Sequence, residues 1–263
     1  MTEATILTAL NTAGVATLTL NRPELHNAFD DYLISQLTAE LRRLEAETAV
    51  RVVVLAARGK SFSAGADLNW MRRMATYSEE QNLRDARSLA ELMRTLNGLG
   101  KPTIAKVQGA AYGGGVGLVA CCDIAIAADT ATFCLSEVKL GLIPAVISPY
   151  VVSAMGARQA RRYFLSAERF DAVEARRTGL VHDVVPAAEL DSRVDQLLNT
   201  LAGNGPAAMV AAKDLIQAVS DRPLDDTVIE DTARRIATIR ASREGQEGLN
   251  AFLSKRKPAW CQD

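Results

Sequence analysis

The chain has 263 residues, of which 48% are hydrophobic and 23% charged, and its formal net charge is -1. That is enough chain to bury a substantial core, and the composition is too ordinary for a disordered protein. The near-neutral charge gives no electrostatic reason to expect nucleic acid or an anionic membrane as a partner, and no apolar run reaches the ~20 residues of a membrane span. The longest candidate, residues 116–128, is interrupted by Asp123.

Residues 4–10 and 15–20 read as short strands around an Asn-Thr-Ala-Gly turn, and NRPELHNAF (21–29) reads as a loop. Leu33, Leu37, Leu41 and Leu44 recur at helical spacing and predict a helix over 30–47. The unbroken apolar run 52–56 is that of a parallel strand buried on both faces. SFSAGADLNW (61–70) is a loop of small residues, and Ser78 offers a cap for a helix reaching about residue 97. Pro102 introduces a strand over 103–107, followed by a glycine-rich turn, a helix over 116–122 and a strand over 124–128. Beyond residue 148 helical patterns dominate, at 153–166, 171–178, 187–202, 206–220 and 224–252. The alternation predicts an α/β body with a parallel sheet and crossover helices, continued by a helical C-terminal part. No stretch of sequence repeats another.

Several chemistries find no support. His26 and His182 are the two histidines, too few for a histidine-rich metal site, and His182 lies in an apolar run that reads as structural. No GxxxxGK[ST] phosphate loop occurs. Cys121, Cys122, Cys134 and Cys261 form no CxxC pair and read as small buried hydrophobes of a reducing compartment. The opening MTEATILTALNTAG lacks a basic stretch followed by a long apolar one, so no secretory signal is expected and a cytoplasmic location is.

Three features carry possible chemistry. Gly113, Gly114, Gly115 and Gly117 follow a strand and open a helix, which puts main-chain N–H groups where a phosphate or a developing oxyanion would be stabilised. Leu118 stands where a dinucleotide fingerprint requires its third glycine. The Ala-Gly-Ala-Asp of the 61–70 loop suggests a second exposed amide. Glu137, in TFCLSEVKLGLIPA, sits in an apolar context that would raise its pKa towards proton-transfer use; the plainer alternative is a surface glutamate paired with Lys139.

In this order, AAYGGGVGLVACCDIAIA, FCLSEVKLGLIP and the preceding FSAGADL resemble the crotonase (enoyl-CoA hydratase/isomerase) family, and the resemblance runs over essentially the whole chain. NRPELHNAF resembles its CoA-binding loop, EARRTGLVHDVV the segment before its last helices, and EGLNAFLSKRKPAW its ending. The resemblance implies a spiral of ββα units over 1–200 and a helical trimerisation region over 201–263, assembled as a homotrimer or hexamer. It implies an acyl-CoA substrate, with CoA part of the substrate and no separate cofactor or metal. It assigns an oxyanion hole to the amides of Ala66 and Gly114, and acid/base duty to Glu137. Arg22, Asn27 and Ala28 would lie near the CoA, with Ala64, Asp67, Leu68, Trp70, Gly113 and Gly117 around the substrate. Phe252 and Lys255 would approach the CoA of a neighbouring subunit. Trp70 and Met74 would line the acyl pocket, ordinary core packing being the open alternative.

One departure stands out. Hydratases of the family carry two glutamates; here the second is Glu137, and the first position is Gly117. A single glutamate favours an isomerase that moves a double bond from Δ3 to Δ2. Against that, SAGADLNWMRRM, GGGVGLVACCDIAIA and CLSEVKLGLIPAVISPYVV resemble a bacterial branch, the 3-methylglutaconyl-CoA hydratases of leucine catabolism and the isohexenylglutaconyl-CoA hydratases of acyclic terpene catabolism. The expectation is therefore hydration of a branched glutaconyl thioester, with Gly117 leaving room for the substituent on the β-carbon and AVISPYV (145–151) shaping the acyl end. The alternatives are the Δ3,Δ2-enoyl-CoA isomerase and a non-catalytic CoA- or RNA-binding protein, the RNA reading being disfavoured by the neutral charge.

Overall fold

In the computed structural model, which describes residues 4–261, the chain divides into two compact units, 1–99 with 103–194, and 100–102 with 195–263. The first unit opens on strands β1 (Ile6–Leu10) and β2 (Val15–Leu20), paired antiparallel. Helix α1 (Asp31–Ala46) follows, capped by Asp30, whose carboxylate accepts from the Leu33 N–H at 2.7 Å. Its apolar stripe, Leu33, Leu37, Leu41 and Leu44, is buried as the spacing predicts.

The chain then repeats one manoeuvre three times. A strand of the large sheet ends, turns tightly into a very short strand of a second sheet, and leaves by a helix. The first winding is β3 (Val52–Ala57), β4 (Ser61–Ser63), α2 (Leu68–Met74) and α3 (Glu79–Asn97). The second is β5 (Thr103–Val107), β6 (Ala110–Tyr112) and α4 (Gly114–Cys121). The third is β7 (Ile124–Ala128), β8 (Thr132–Cys134), a 3-10 turn over Glu137–Leu140 and α5 (Ser148–Ser166). The unit is completed by β9 (Phe170–Asp171), α6 (Ala172–Arg177), β10 (Asp183–Val185) and the start of α7 (Leu190–Ala202).

The large sheet has the order β1-β2-β3-β5-β7-β10 and is parallel from β2 onward; the small one has the order β4-β6-β8-β9. Strand β3 is buried along almost its whole length, as a central parallel strand must be when helices cover both faces. The two-to-three-residue strands of the small sheet carry no readable period, which is why the sequence did not predict them. The same applies to α2. Its cap is Asp67, which accepts from the Asn69 and Trp70 N–H groups at 2.8 and 3.2 Å.

The tight turns bring the windings into main-chain contact. A Cβ at Gly109, between β5 and β6, would lie 2.0 Å from the Lys60 carbonyl oxygen between β3 and β4. Gly109→Ala is therefore expected to force two backbones apart and cost upwards of about 3 kcal/mol, the high end of overpacking, because main chain cannot rotate away. Urea denaturation of the variant measures this directly.

Two helical predictions need correction. The helix predicted over 153–166 starts earlier and is broken at Gly156, whose φ of 75° and ψ of 150° no helix contains. The predicted 224–252 helix is two helices, α9 (Asp226–Ala241) and α10 (Arg243–Leu253). Ser242 at the break has extended backbone and caps α10 by accepting from the Gly245 N–H at 3.0 Å; a mid-run serine that offers its hydroxyl to the main chain ends one helix and starts the next. In the second unit these helices pack with α8 (Pro206–Val219), whose first-turn Ala207 and Ala208 N–H groups donate to the Glu244 carboxylate. Leu224 and Phe252 of this unit are 83% and 81% exposed. Among the described residues no helix is long and apolar enough to cross a membrane.

Candidate active site

The three windings deliver their loops to one place. Ala66 comes just after β4, Gly113 and Gly114 just after β6, and Glu137 just after β8. Gly113, with φ 51° and ψ -119°, turns the chain from strand into α4. A Cβ there would lie 3.2 Å from Glu137 Oε1 and 3.9 Å from the Gly65 Cα. Loops distant in sequence thus meet at a point that only a residue without a side chain leaves open.

Main-chain donors from two loops open near it. Residues 26–29 pair with residues 64–67 in a short parallel bridge: Ala64 N–H donates to His26 O at 3.0 Å, Phe29 N–H to Gly65 O and Asp67 N–H to Phe29 O, both at 2.7 Å. Because the Gly65–Ala66 peptide is planar and trans, its N–H points opposite to the carbonyl that Phe29 holds, away from residues 26–29. In α4 the first turn leaves the Gly114 and Gly115 N–H groups without an intrahelical acceptor, while Val116 and Gly117 donate to Gly113 O at 2.9 and 3.3 Å. The helix dipole adds to the pull of those N–H groups on negative charge.

Glu137 faces this donor-rich corner with one carboxyl oxygen unpartnered. Its Oε2 is buried and accepts no hydrogen bond. Burial pushes its pKa above the ordinary carboxylate range, with partial opposition from its own main-chain N–H. The surface pairing with Lys139 does not occur, so the plainer alternative for Glu137 falls. A half-buried carboxyl with one oxygen unpartnered, beside main-chain N–H groups, can move a proton on a ligand whose developing negative charge those amides would hold.

The rest of the sequence-predicted set falls into three groups. Arg22 and Asn27 hold loops together. Arg22 pairs with Asp30 at 2.7 Å, reaches Asp67 at 3.4 Å and donates to Ala28 O at 3.1 Å. Asn27, fully buried with φ 52°, donates to Arg58 O and Ser61 O, both at 2.9 Å, and accepts from Arg22 N–H at 2.8 Å. Asp67 joins them as the α2 cap, so an ionic clamp stands directly behind Ala66. Ala64 and Leu68 are exposed on either side of that clamp and Ala28 is buried under it. Trp70 lies in the hydrophobic core and its Nε1 donates to Asp85 Oδ1 at 3.1 Å. Met74 is partly buried against the same core. Phe252 and Lys255 belong to the second unit.

Gly117 requires a correction. The position is not a gap awaiting a substituent: a Cβ there would lie 2.3 Å from Ile147 Cγ2. The space that the sequence assigned to the acyl branch is filled by Ile147, brought there by the 145–151 segment. Ile147 and Met93 went unnoticed in the sequence because nothing in a linear run of apolar residues says which one packs on a glycine. Asp85 gave no signal either. His182 is structural as read, its Nδ1 accepting from Ala125 N–H at 3.0 Å. Among the described residues no group of three or more His, Cys, Asp or Glu side chains is gathered as a metal site.

Residues 11–263 match the family described as enoyl-CoA hydratase/isomerase. A 2,3-dehydroadipyl-CoA hydratase of Escherichia coli is 35% identical over 93% of this chain and 94% of its own. The crystal structure of an enoyl-CoA hydratase from Shewanella pealeana is 50% identical, with a TM-score of 0.95 over 98% of this chain and 96% of that one. Pseudomonas aeruginosa AtuE is 37% identical, with a TM-score of 0.94 over 98% of this chain and all 100% of that one.

Proposed function

The chain belongs to the enoyl-CoA hydratase/isomerase family and is an enzyme of that type with its α/β spiral fold, and from that premise we propose that it adds water to a 2-enoyl-CoA whose acyl group is a branched dicarboxylic one of the glutaconyl class. The observation that carries the catalytic part is the unpartnered Glu137 Oε2 beside amides that face outward at Ala66 and Gly114. The thioester oxygen accepts from both amides, which draws electron density from the β-carbon. Glu137 takes a proton from water as the oxygen adds to that carbon. The resulting enolate is held by the amides until the protonated Glu137 returns a proton to the α-carbon. One carboxyl group then serves both transfers, and the net change is the addition of one water.

The acyl part rests on the segment resemblances around 64–75, 113–127 and 134–151, and on the name of the Escherichia coli relative, a hydratase of a dicarboxylic thioester. No cofactor beyond the CoA of the substrate enters this scheme. The exposed apolar residues of the second unit, Leu224 and Phe252 among them, suit burial in a homotrimer or hexamer.

A second reading has its own support. Position 117 holds no carboxylate and is closed by Ile147, so a proton shuttle from C2 to C4 of a 3-enoyl-CoA, which needs one carboxyl and no water, also fits. Mass spectrometry separates the two. Incubation with 3-methylglutaconyl-CoA or isohexenylglutaconyl-CoA is expected to give product heavier by one water. A 3-enoyl-CoA converted to its 2-isomer, with no water gained by any glutaconyl thioester, would make the protein an isomerase.

A further inference from the structure

Helix α4 meets the segment from Glu137 to Ile147 twice. At its start Gly113 faces the Glu137 carboxyl; four residues on, Gly117 faces Ile147. A Cβ at Gly117 would stand 2.3 Å from Ile147 Cγ2, 2.9 Å from Ile147 Cβ and 3.2 Å from Met93 Cε. The Ile147 side chain therefore lies directly on the helix backbone, and it is 3% exposed. The segment between the two contacts is braced: Leu142 N–H donates to Glu137 O at 3.0 Å, Ala145 N–H to Ile143 O at 2.8 Å and Ser148 N–H to Ala145 O at 3.2 Å. Ile147 O accepts from Val151 N–H at 3.1 Å and is thereby tied to α5. Glu137 and Ile147 are thus two fixed points of one braced stretch, seated on α4 about 6 Å apart along its axis.

That spacing has a chemical consequence. A thioester whose oxygen reaches the Gly114 amide, and whose α- and β-carbons reach Glu137, carries its β-substituent within a few ångströms of the next turn of α4. The side chain packed on α4 at that turn is Ile147, with Met93 Cε beside it and no side chain of residue 117 between them. We infer that Ile147, seated on Gly117, is a specificity-determining residue that sets the size of the group tolerated on the β-carbon. This rests on the enoyl-CoA reading above. Gly117 and Ile147 form a complementary pair, and the bulk at one position depends on its absence at the other.

The test compares wild type, Ile147→Ala, Ile147→Val, Gly117→Ala and the Gly117→Ala/Ile147→Val double variant. Two quantities are measured over acyl-CoAs bearing hydrogen, methyl or a larger alkyl group on the β-carbon. One is kcat/KM for the 2-enoyl thioesters. The other is the Kd of the saturated thioesters, which needs no turnover. Removing side-chain carbons from a hydrophobic wall shifts discrimination by about 10-fold or more per methylene equivalent. Ile147→Ala is expected to raise the large-to-hydrogen ratio by at least that factor in both measurements, and Ile147→Val to move it the same way by less. Ratios are insensitive to the fraction of folded enzyme, and the valine variant keeps the test intact if the alanine variant folds poorly. Gly117→Ala is expected to lower Tm, and Ile147→Val to restore it in the double variant. Shifted Kd ratios in a protein that hydrates no thioester would overturn the activity and leave this inference standing. Unchanged ratios in both measurements, with Tm lost and restored as expected, would reduce Ile147 to core packing and overturn it. A wild type that binds no acyl-CoA would overturn both.

Discussion

Glu137→Gln is expected to lower kcat by about 10³-fold, within the 10²–10⁴ range that a positioned acid/base group contributes, while changing the Kd for a saturated acyl-CoA little. Glutamine keeps the shape of the side chain and cannot accept or return a proton. A parallel effect on stability runs the other way. Burial raises the carboxyl pKa in the folded protein, so the folded state binds the proton more tightly than the unfolded chain. A contribution of that sign is complete at pH below the ordinary glutamate value and disappears as pH rises through the elevated one. Above the elevated pKa the wild type therefore carries a desolvated carboxylate that the variant lacks. Glu137→Gln is expected to have the higher Tm at pH above that pKa, with the difference shrinking as the pH is lowered into the ordinary glutamate range. Calorimetry at several pH values checks it; a variant equally active, or less stable at neutral pH than at acid pH relative to wild type, contradicts the role. The same elevation fixes the acid limb of the rate. In the proposed hydration Glu137 is ionised to take the proton from water, so kcat/KM of the wild type is expected to fall at a pH above the range of an exposed glutamate.

The amides can be removed one at a time without touching a side chain. Incorporating lactic acid at position 66, or glycolic acid at 114, replaces the N–H by an ester oxygen. Each substitution is expected to lower kcat by about 10²–10³-fold, the effect of deleting one oxyanion donor. Neither N–H holds an acceptor among the described residues, so the loss is expected to fall on the reaction rather than the fold. The cost to stability is expected to stay near about 1 kcal/mol, because the Gly65 and Gly113 carbonyls, now ester carbonyls, still accept the bonds from Phe29 and from Val116 and Gly117, only more weakly. Circular dichroism and steady-state kinetics on each ester protein decide it. An ester at 66 that leaves kcat unchanged would take Ala66 out of the site.

How far these groups were legible in the sequence depends on what encodes them. Glu137, the glycine run and the 61–70 loop stood out as candidates because of their composition, an acid among apolar residues and small residues where a strand ends; the choice of Ala66 and Gly114 as the two amides came from the resemblance to the crotonase family. Long periodic elements such as α1 and α3 were legible for the usual reason, a stripe of leucines and a capping serine at Ser78. The second sheet was not, since strands of two or three residues contain less than two periods of alternation. The three-fold winding was hidden for another reason: its repeats share a path and not a sequence. The pairing of Gly117 with Ile147 was beyond reach because it is a contact across 30 residues between a residue without a side chain and one of many isoleucine-like candidates. Reading Gly117 as empty space was the natural error; in a packed interior the absence of one side chain is an invitation to another.

Of the three groups gathered at the ends of β4, β6 and β8, two are peptide N–H groups and one is a side chain. Point substitution reaches them unequally. No exchange of side chain abolishes an amide, short of proline, whereas a single change erases the carboxyl. On the proposed scheme, a descendant of this chain that lost Glu137 would keep its hold on a thioester oxygen and forfeit only the proton transfer. The grip would then be written into the path of the backbone, and the reaction into one replaceable letter.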